Sequence, residues 1–238
     1  MRLLVTRPQP GAEQTAALLR GRGHDVVVAP LLHIETIPDA AIDAGPWSAI
    51  LLTSANAARA LAVHEMRPAL VGLPVFAAGE HSAQAMRAAG FASVISARGG
   101  VAELALLAAE RLQPGASVLY LAGEDRTGDL AADLGRKGVA VRTVVIYRAR
   151  TARDFPQAAV DAVVAGIDAV LHFSERSATA YVSAARSAGI LAGALDPVHY
   201  CLSARVAEPL AGAGAAKVQI APRPTQAALL DLIETAAH

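Results

Sequence analysis

The sequence has a single cysteine, Cys201, so no internal disulfide is possible; that fits a reducing compartment such as the cytoplasm. Lysine is nearly as scarce. Lys137 and Lys217 are the only two, and the rest of the basic charge is arginine. That bias fits an alanine-rich, GC-rich coding background, and arginine forks also suit carboxylates and phosphates. The formal net charge is +0, which gives no sign of a broad nucleic-acid surface. No apolar run reaches the ~18 residues that a membrane helix needs. The chain opens directly in an apolar stretch with one charge, Arg2, which is not the pattern of a signal peptide.

The missing motifs exclude further classes. No GxGxxG follows a strand, so there is no dinucleotide fingerprint, and no GxxxxGK[ST] marks a phosphate-binding P-loop. GxSxG is absent too. The histidines (His24, His33, His64, His81, His172, His199 and His238) are scattered without metal spacing. His172 and His199 fall within predicted strands and read as packed rather than ligating. The expectation is a chemistry with no cofactor, no metal and no covalent nucleophile.

What is present is a repeat. The chain has 238 residues, 54% of them hydrophobic, enough for one large or two small domains. The run from Ala116 to Ala149 reads as strand, loop, helix and strand, and its pattern also opens the chain. Slid back along the sequence, Leu119 falls on Leu4, Gly138 on Gly23, Val141 on Val26 and Tyr147 on Leu32. A second repeat places Ala49–Ser54 on Ala169–Ser174, and Gly79, Ala83, Met86, Gly90 and Val94 on Ser203, Ala207, Leu210, Gly214 and Val218.

Short apolar strands alternate with helices throughout, which predicts parallel crossover units. Strands are expected at 2–6, 24–29, 49–52, 75–78, 93–96, 118–121 and 141–146, with more near 169 and 218. Pro30 to Pro38 reads as a linker, and a helix is expected to start in Ala122–Arg126. The middle of the chain supplies five strands, the tail only three. The two missing from the tail are those of the opening unit. The fold class is therefore α/β: two similar doubly wound, flavodoxin-like parallel-sheet domains. One is discontinuous, 1–34 plus 151–238, and the other is 38–147. Two connecting segments, 31–37 and 147–153, join them, with an expected cleft between.

Parallel sheets bind ligands beyond the carboxyl ends of their strands. The loops at those ends carry glycine and small hydroxyls at predicted helix starts: Thr6, Thr53-Ser54, Gly79 with Ser82, Gly123, Ser174 with Ser177, Ser203 and Thr225. Helix N-termini hold anions through unpaired N–H groups and a partial positive charge. Ser and Thr there are also ordinary N-caps, and the residues alone leave both readings open. Glu80, Glu124 and Glu175 stand against crowding anions at their helix ends.

Along nearly its full length the chain resembles the uroporphyrinogen-III synthase family. The segments that carry the likeness are VTRP with Thr6, Arg7 and Pro8; LLTSANAARAL with Thr53 and Ser54; AAGEHSAQAM with Gly79; LAGEDRTGDLAADLGRKGVAV with Gly123; VVIYRA with Tyr147; HFSERSATAY with Ser174; and APRPTQAALLDLI with Pro224 and Thr225. The chain departs from the family pattern at Ser174-Glu175-Arg176 and at Ser203-Ala204-Arg205-Val206.

The resemblance implies a cytoplasmic, monomeric hydro-lyase of tetrapyrrole (heme, siroheme, cobalamin) biosynthesis. Its substrate would be hydroxymethylbilane, a linear tetrapyrrole with eight carboxylates, received from the upstream deaminase. It would lose water and close with inversion of ring D, through a spiro intermediate. Tyr147 would be the proton donor to the departing hydroxyl. Helix-start hydroxyls and amides would hold the acetate and propionate arms, helped by Arg7, Arg126, Arg176, Arg205 and Arg223. A non-catalytic tetrapyrrole-binding sensor is the alternative. A two-domain sugar-nucleotide transferase is a third reading, weakened by the missing nucleotide signature.

Overall fold

The computed structural model describes residues 1–126 and 128–236. His238 therefore lies outside the described residues. The chain divides into unit 1, Met1–His33 with Arg150–His238, and unit 2, Ile34–Ala149.

Unit 1 begins with β1 (Arg2–Val5), α1 (Gly11–Arg20) and β2 (Asp25–Val28). β3 (Leu32–Thr36) spans the boundary. Unit 2 continues with β4 (Ala49–Leu52), α2 (Ala55–Ala62), α3 (Arg67–Leu70), β5 (Val75–Ala77), α4 (Glu80–Ala88), β6 (Val94–Ser96), α5 (Val101–Arg111), β7 (Ser117–Gly123) and α6 (Leu130–Gly135). β8 (Ala140–Thr151) spans the second boundary. Unit 1 resumes with α7 (Gln157–Ala165), β9 (Ala169–His172), α8 (Glu175–Ser187), α9 (Leu191–Leu195), β10 (Val198–Cys201), α10 (Ala204–Gly212), β11 (Val218–Ile220) and α11 (Gln226–Ala236).

The two sheets have one plan. Unit 1 orders its strands β11-β10-β9-β1-β2, with every pair parallel. Unit 2 orders them β6-β5-β4-β7-β8, with β3 added beside β8. The repeats noted above map β7 and β8 onto β1 and β2, and β4, β5 and β6 onto β9, β10 and β11. The spatial order is therefore the same, and the chain simply enters each sheet at a different strand.

The repeated glycines show why the pattern persists. Gly23 and Gly138 have φ of 84° and 76°, and Gly90 and Gly214 have 93° and 98°. Each ends a helix in the left-handed region, where a side chain is penalised.

Both faces of each sheet are covered. In β4, Ile50 and Leu52 join the core that includes α2 and α4, while Ala49 and Leu51 join the core that includes α5 and α6. All four are fully buried, which explains a strand with no polar alternation. Each such large side chain contributes roughly 1.5–3 kcal/mol of transfer free energy.

Three expectations need correction. The stretch read as a linker forms a strand, β3, because its alternating Leu32, Ile34 and Thr36 find the edge of β8. β8 itself runs five residues past the expected end at Ile146, to Thr151. The helix expected from Ala122–Arg126 starts only at Leu130, where Asp129 Oδ1 accepts from the Ala132 N–H at 3.0 Å. Gly123 is the last residue of β7. The short helices α3 and α9 were not legible from periodicity, since 4 and 5 residues hold little more than one turn.

The unit 1 core contains a histidine pair. His172 and His199 are both fully buried, with His172 Nε2 3.1 Å from His199 Nδ1. The Tyr181 ring stands edge-on to both, at 5.2 and 5.8 Å. Among the described residues, His172 Nδ1 and His199 Nε2 have no partner of hydrogen-bonding geometry. Burial, then the neighbouring His199, holds His172 well below the usual imidazole range. Burial lowers His199 to about 4, weakly opposed by the Leu195 carbonyl. The Tyr181 phenol and the Cys201 thiol nearby are both pushed up by burial, so neither supplies a compensating charge.

An unfolded imidazole takes its proton near pH 6.5. Between that pH and about 4 the unfolded chain holds more protons than the folded one, so stability is full above 6.5 and falls as pH drops. We expect His199 alone to remove about 2 kcal/mol by pH 5, a ~30-fold loss of protection. Hydrogen exchange of the β9 and β10 amides at pH 7 and pH 5, corrected for intrinsic rates, measures it. Unchanged protection would contradict the assignment, and His172→Leu/His199→Leu should flatten the profile.

Candidate active site

Unit 2 has a pocket of about 420 Å³ at the carboxyl ends of its strands. β4 delivers Thr53 and Ser54, β5 leads to Gly79 and Ser82, β7 delivers Gly123 and leads to Arg126, and β8 delivers Tyr147. These seven residues, singled out from the sequence, line one cavity. The pocket sits across β4 and β7, between which the strand order reverses, as open parallel sheets favour.

Tyr147 reaches the pocket because β8 is irregular. Ala122 pairs with Val145, but Gly123 pairs with Tyr147, so Ile146 is an extra residue. Such a bulge re-aims the following side chain. It sets the phenol against Gly123: a Cβ there would lie 2.7 Å from Tyr147 Cζ and 2.8 Å from its hydroxyl. The phenol is half-buried. Burial raises its pKa first; the Ser54 side chain pulls it down, and Tyr120 and Asp125 push it up.

Three helices start at this pocket, and they differ. Ser54 caps α2, its Oγ accepting from the Asn56 N–H at 3.1 Å. The α5 start is served by a carboxylate of the chain itself: Gly100 N–H donates to Glu103 Oε2 at 2.7 Å. That bond, the larger cause, holds the Glu103 carboxyl below its ordinary range. At α4 the N-cap is Gly79, with no side-chain cap. Glu80 does not fill it, since its carboxylate pairs with Arg87 at 2.7 Å. The α4 start is thus the amide end best suited to a ligand's anion. Arg126 adds a cation on the rim and donates to the Gly123 carbonyl at 3.4 Å.

In unit 1 the expected residues divide. Thr6 is fully buried and donates to the Leu171 carbonyl at 3.2 Å, so its hydroxyl ties β1 to β9 rather than facing a ligand. It does not stand at a helix start either, because α1 begins at Gly11. Arg7 donates to Gln226 Oε1 at 2.7 Å and Thr15 Oγ1 at 3.2 Å, and its guanidinium lies 4.3 Å over the Phe173 ring. It therefore links β1 to α1 and α11, and burial lowers its pKa.

Ser174 caps α8 through Ser177 N–H at 3.1 Å. Ser203 stands at the N-cap of α10 without a side-chain bond. Thr225 accepts from Ala228 N–H at 3.3 Å at the start of α11. Arg205 pairs with Glu175. Arg176 lines a separate open groove with Thr151, Glu175 and Thr179.

Compared with known families, residues 13–231 match the model described as uroporphyrinogen-III synthase HemD. The chain belongs to the uroporphyrinogen-III synthase family.

The solved structures agree in fold. The chain is 18% identical to uroporphyrinogen-III synthetase from Helicobacter pylori 26695, with a TM-score of 0.67 over 99% of this chain and 100% of that one. It is 17% identical to a mutant uroporphyrinogen III synthase from Thermus thermophilus, with a TM-score of 0.54 over 100% of this chain and 98% of that one. A search of curated protein sequences finds no significant match.

Within the synthase family frame, two polar side chains of the pocket were not singled out from the sequence. Tyr120 lines the pocket from β7, and Asp125 from the loop after it. Tyr120 had a signal: its repeat mate is the aliphatic Val5, so a phenol stands where packing asks only for a methyl-bearing side chain. Asp125 had none.

Ser54 serves both helix and phenol. We expect Ser54→Ala to cost about 1 kcal/mol of stability through the lost cap and to lower kcat severalfold by weakening Tyr147 as an acid. Thermal melts and steady-state rates check the two effects separately; a variant with wild-type stability would remove the capping role.

Proposed function

We propose that this chain is a uroporphyrinogen-III synthase: a cofactor-independent hydro-lyase that closes hydroxymethylbilane to uroporphyrinogen III with inversion of ring D. The observation that carries the reading is Tyr147, a half-buried phenol beside helix starts suited to carboxylates, in a chain of this family. Without a protein the bilane still closes, but without inversion. The protein therefore has mainly to hold a reactive chain in one shape and to assist the leaving hydroxyl.

Burial keeps the Tyr147 phenol protonated at neutral pH, as a donor must be. Its O–H gives the proton to the departing oxygen; the C–O bonding pair leaves with that oxygen as water, and the azafulvene remains with its ring N–H in place, as a cation beside the phenolate. Ser54 stabilises the phenolate that forms. Attack by the substituted carbon of ring D on the azafulvene gives the spiro intermediate, which fragments and recloses at the free α-carbon of ring D; the proton lost there restores the Tyr147 phenol. The amide end of α4 and the cation of Arg126 suit two of the substrate's acetate or propionate arms.

We place the protein in the cytoplasm as a monomer that takes a short-lived substrate from the upstream deaminase. A tetrapyrrole-binding sensor of the same fold is the competing reading. Turnover decides between them. Hydroxymethylbilane made in situ by a deaminase should disappear faster when this protein is added, in proportion to its concentration. Stoichiometric binding with no acceleration would favour the sensor.

A further inference from the structure

Tyr120 is an unusual residue for its strand. Its neighbours on β7 are aliphatic, its side chain packs in the core that contains Leu51 and Leu104, and it is only 5% exposed. Its repeat mate in unit 1, Val5, fills the equivalent place without a polar atom. A hydroxyl brought this deep costs free energy unless it is satisfied. The Tyr120 OH stands 3.3 Å from Thr53 Oγ1, and both residues line the pocket.

That separation is long for an O–H···O bond, so the two groups hold each other loosely. The pair has two hydroxyl hydrogens, and the bond between them uses one. The other is left to donate to a ligand. Neutral donors suit an anion at such depth, since a buried cation would carry its own desolvation penalty.

We propose that Tyr120 and Thr53 together form a carboxylate-binding site in the unit 2 pocket, taking one acetate or propionate arm of the substrate and so setting its ring against Tyr147. The inference rests on the synthase reading of this pocket. Tyr120 is a binding residue in this scheme and takes no part in the bond changes. It binds ground state and transition state alike, so its loss shows in KM rather than kcat.

The test is Tyr120→Phe, assayed with hydroxymethylbilane generated by a deaminase. The ring and its packing stay; only the donor goes. KM should rise about tenfold, as for one hydrogen bond to a charged group, with kcat and melting temperature close to wild type. Thr53→Val should raise KM in the same way, and the double variant should be no worse than the weaker single one. A Tyr120→Phe enzyme with wild-type KM overturns the proposal, and so does one whose loss is confined to kcat. If the wild-type protein itself leaves the bilane unconverted, the synthase reading fails, and that result is distinct from a variant that matches an active wild type.

Discussion

Tyr147→Phe should lower kcat about 100-fold while leaving KM and the melting temperature near wild type. A positioned general acid typically contributes roughly 10²–10⁴-fold, and spontaneous closure of the bilane puts this case at the low end. The change removes one oxygen from a half-buried ring and leaves its packing against the unit 2 core in place. It opens no cavity, so the fold should hold. Burial holds the phenol above its ordinary range, and loss of activity through its ionisation is therefore expected only on the far alkaline side. Single-turnover rates across pH 6–9 should be flat for that group. A Tyr147→Phe protein with wild-type kcat would remove the residue from the mechanism.

Gly123→Ala should be about as damaging, although the residue carries no chemistry. Its φ does not require glycine; the space does. A methyl group there would sit 2.7 Å from Tyr147 Cζ and 2.8 Å from the hydroxyl, and an aromatic ring cannot yield by bending. The phenol must swing toward the open side of the pocket. A displacement of about 1 Å at a reacting group can cost roughly 10²-fold. Stability should fall by only about 1–3 kcal/mol, as in a moderately overpacked site. The two changes act on one group, so Gly123→Ala/Tyr147→Phe should be no slower than the worse single variant. Multiplicative losses in that cycle would mean that Gly123 acts independently of Tyr147.

The sheet plan was legible because it is written twice. Leu4 and Leu119 or Gly23 and Gly138 recur 115 residues apart, and Ala49 and Ala169 recur 120 apart, and each recurrence has a local cause in burial or in a left-handed turn. The loop chemistry was legible only as a set of separate residues. Thr53, Ser54, Gly79, Ser82, Gly123, Arg126 and Tyr147 meet in one pocket, but which of them is spoken for depends on partners far away in the chain.

Thr6 looked like a ligand hydroxyl and instead bonds Leu171, 165 residues on. Arg7 looked like a free cation and is held by Gln226 and Phe173. The α5 start is filled by Glu103 from the next turn of its own helix. The bulge at Ile146, which aims Tyr147, has no signature in a run as regular as VVIYRA. Register is a property of two strands, and one sequence pattern does not reveal it.

The most direct measurement is the isomer composition of the product. Porphobilinogen and a deaminase generate hydroxymethylbilane, the protein is added, and the oxidised porphyrins are separated. The synthase reading predicts that isomer III dominates, with its share rising as protein is added. Isomer I alone, from a sample shown to be folded, would contradict it.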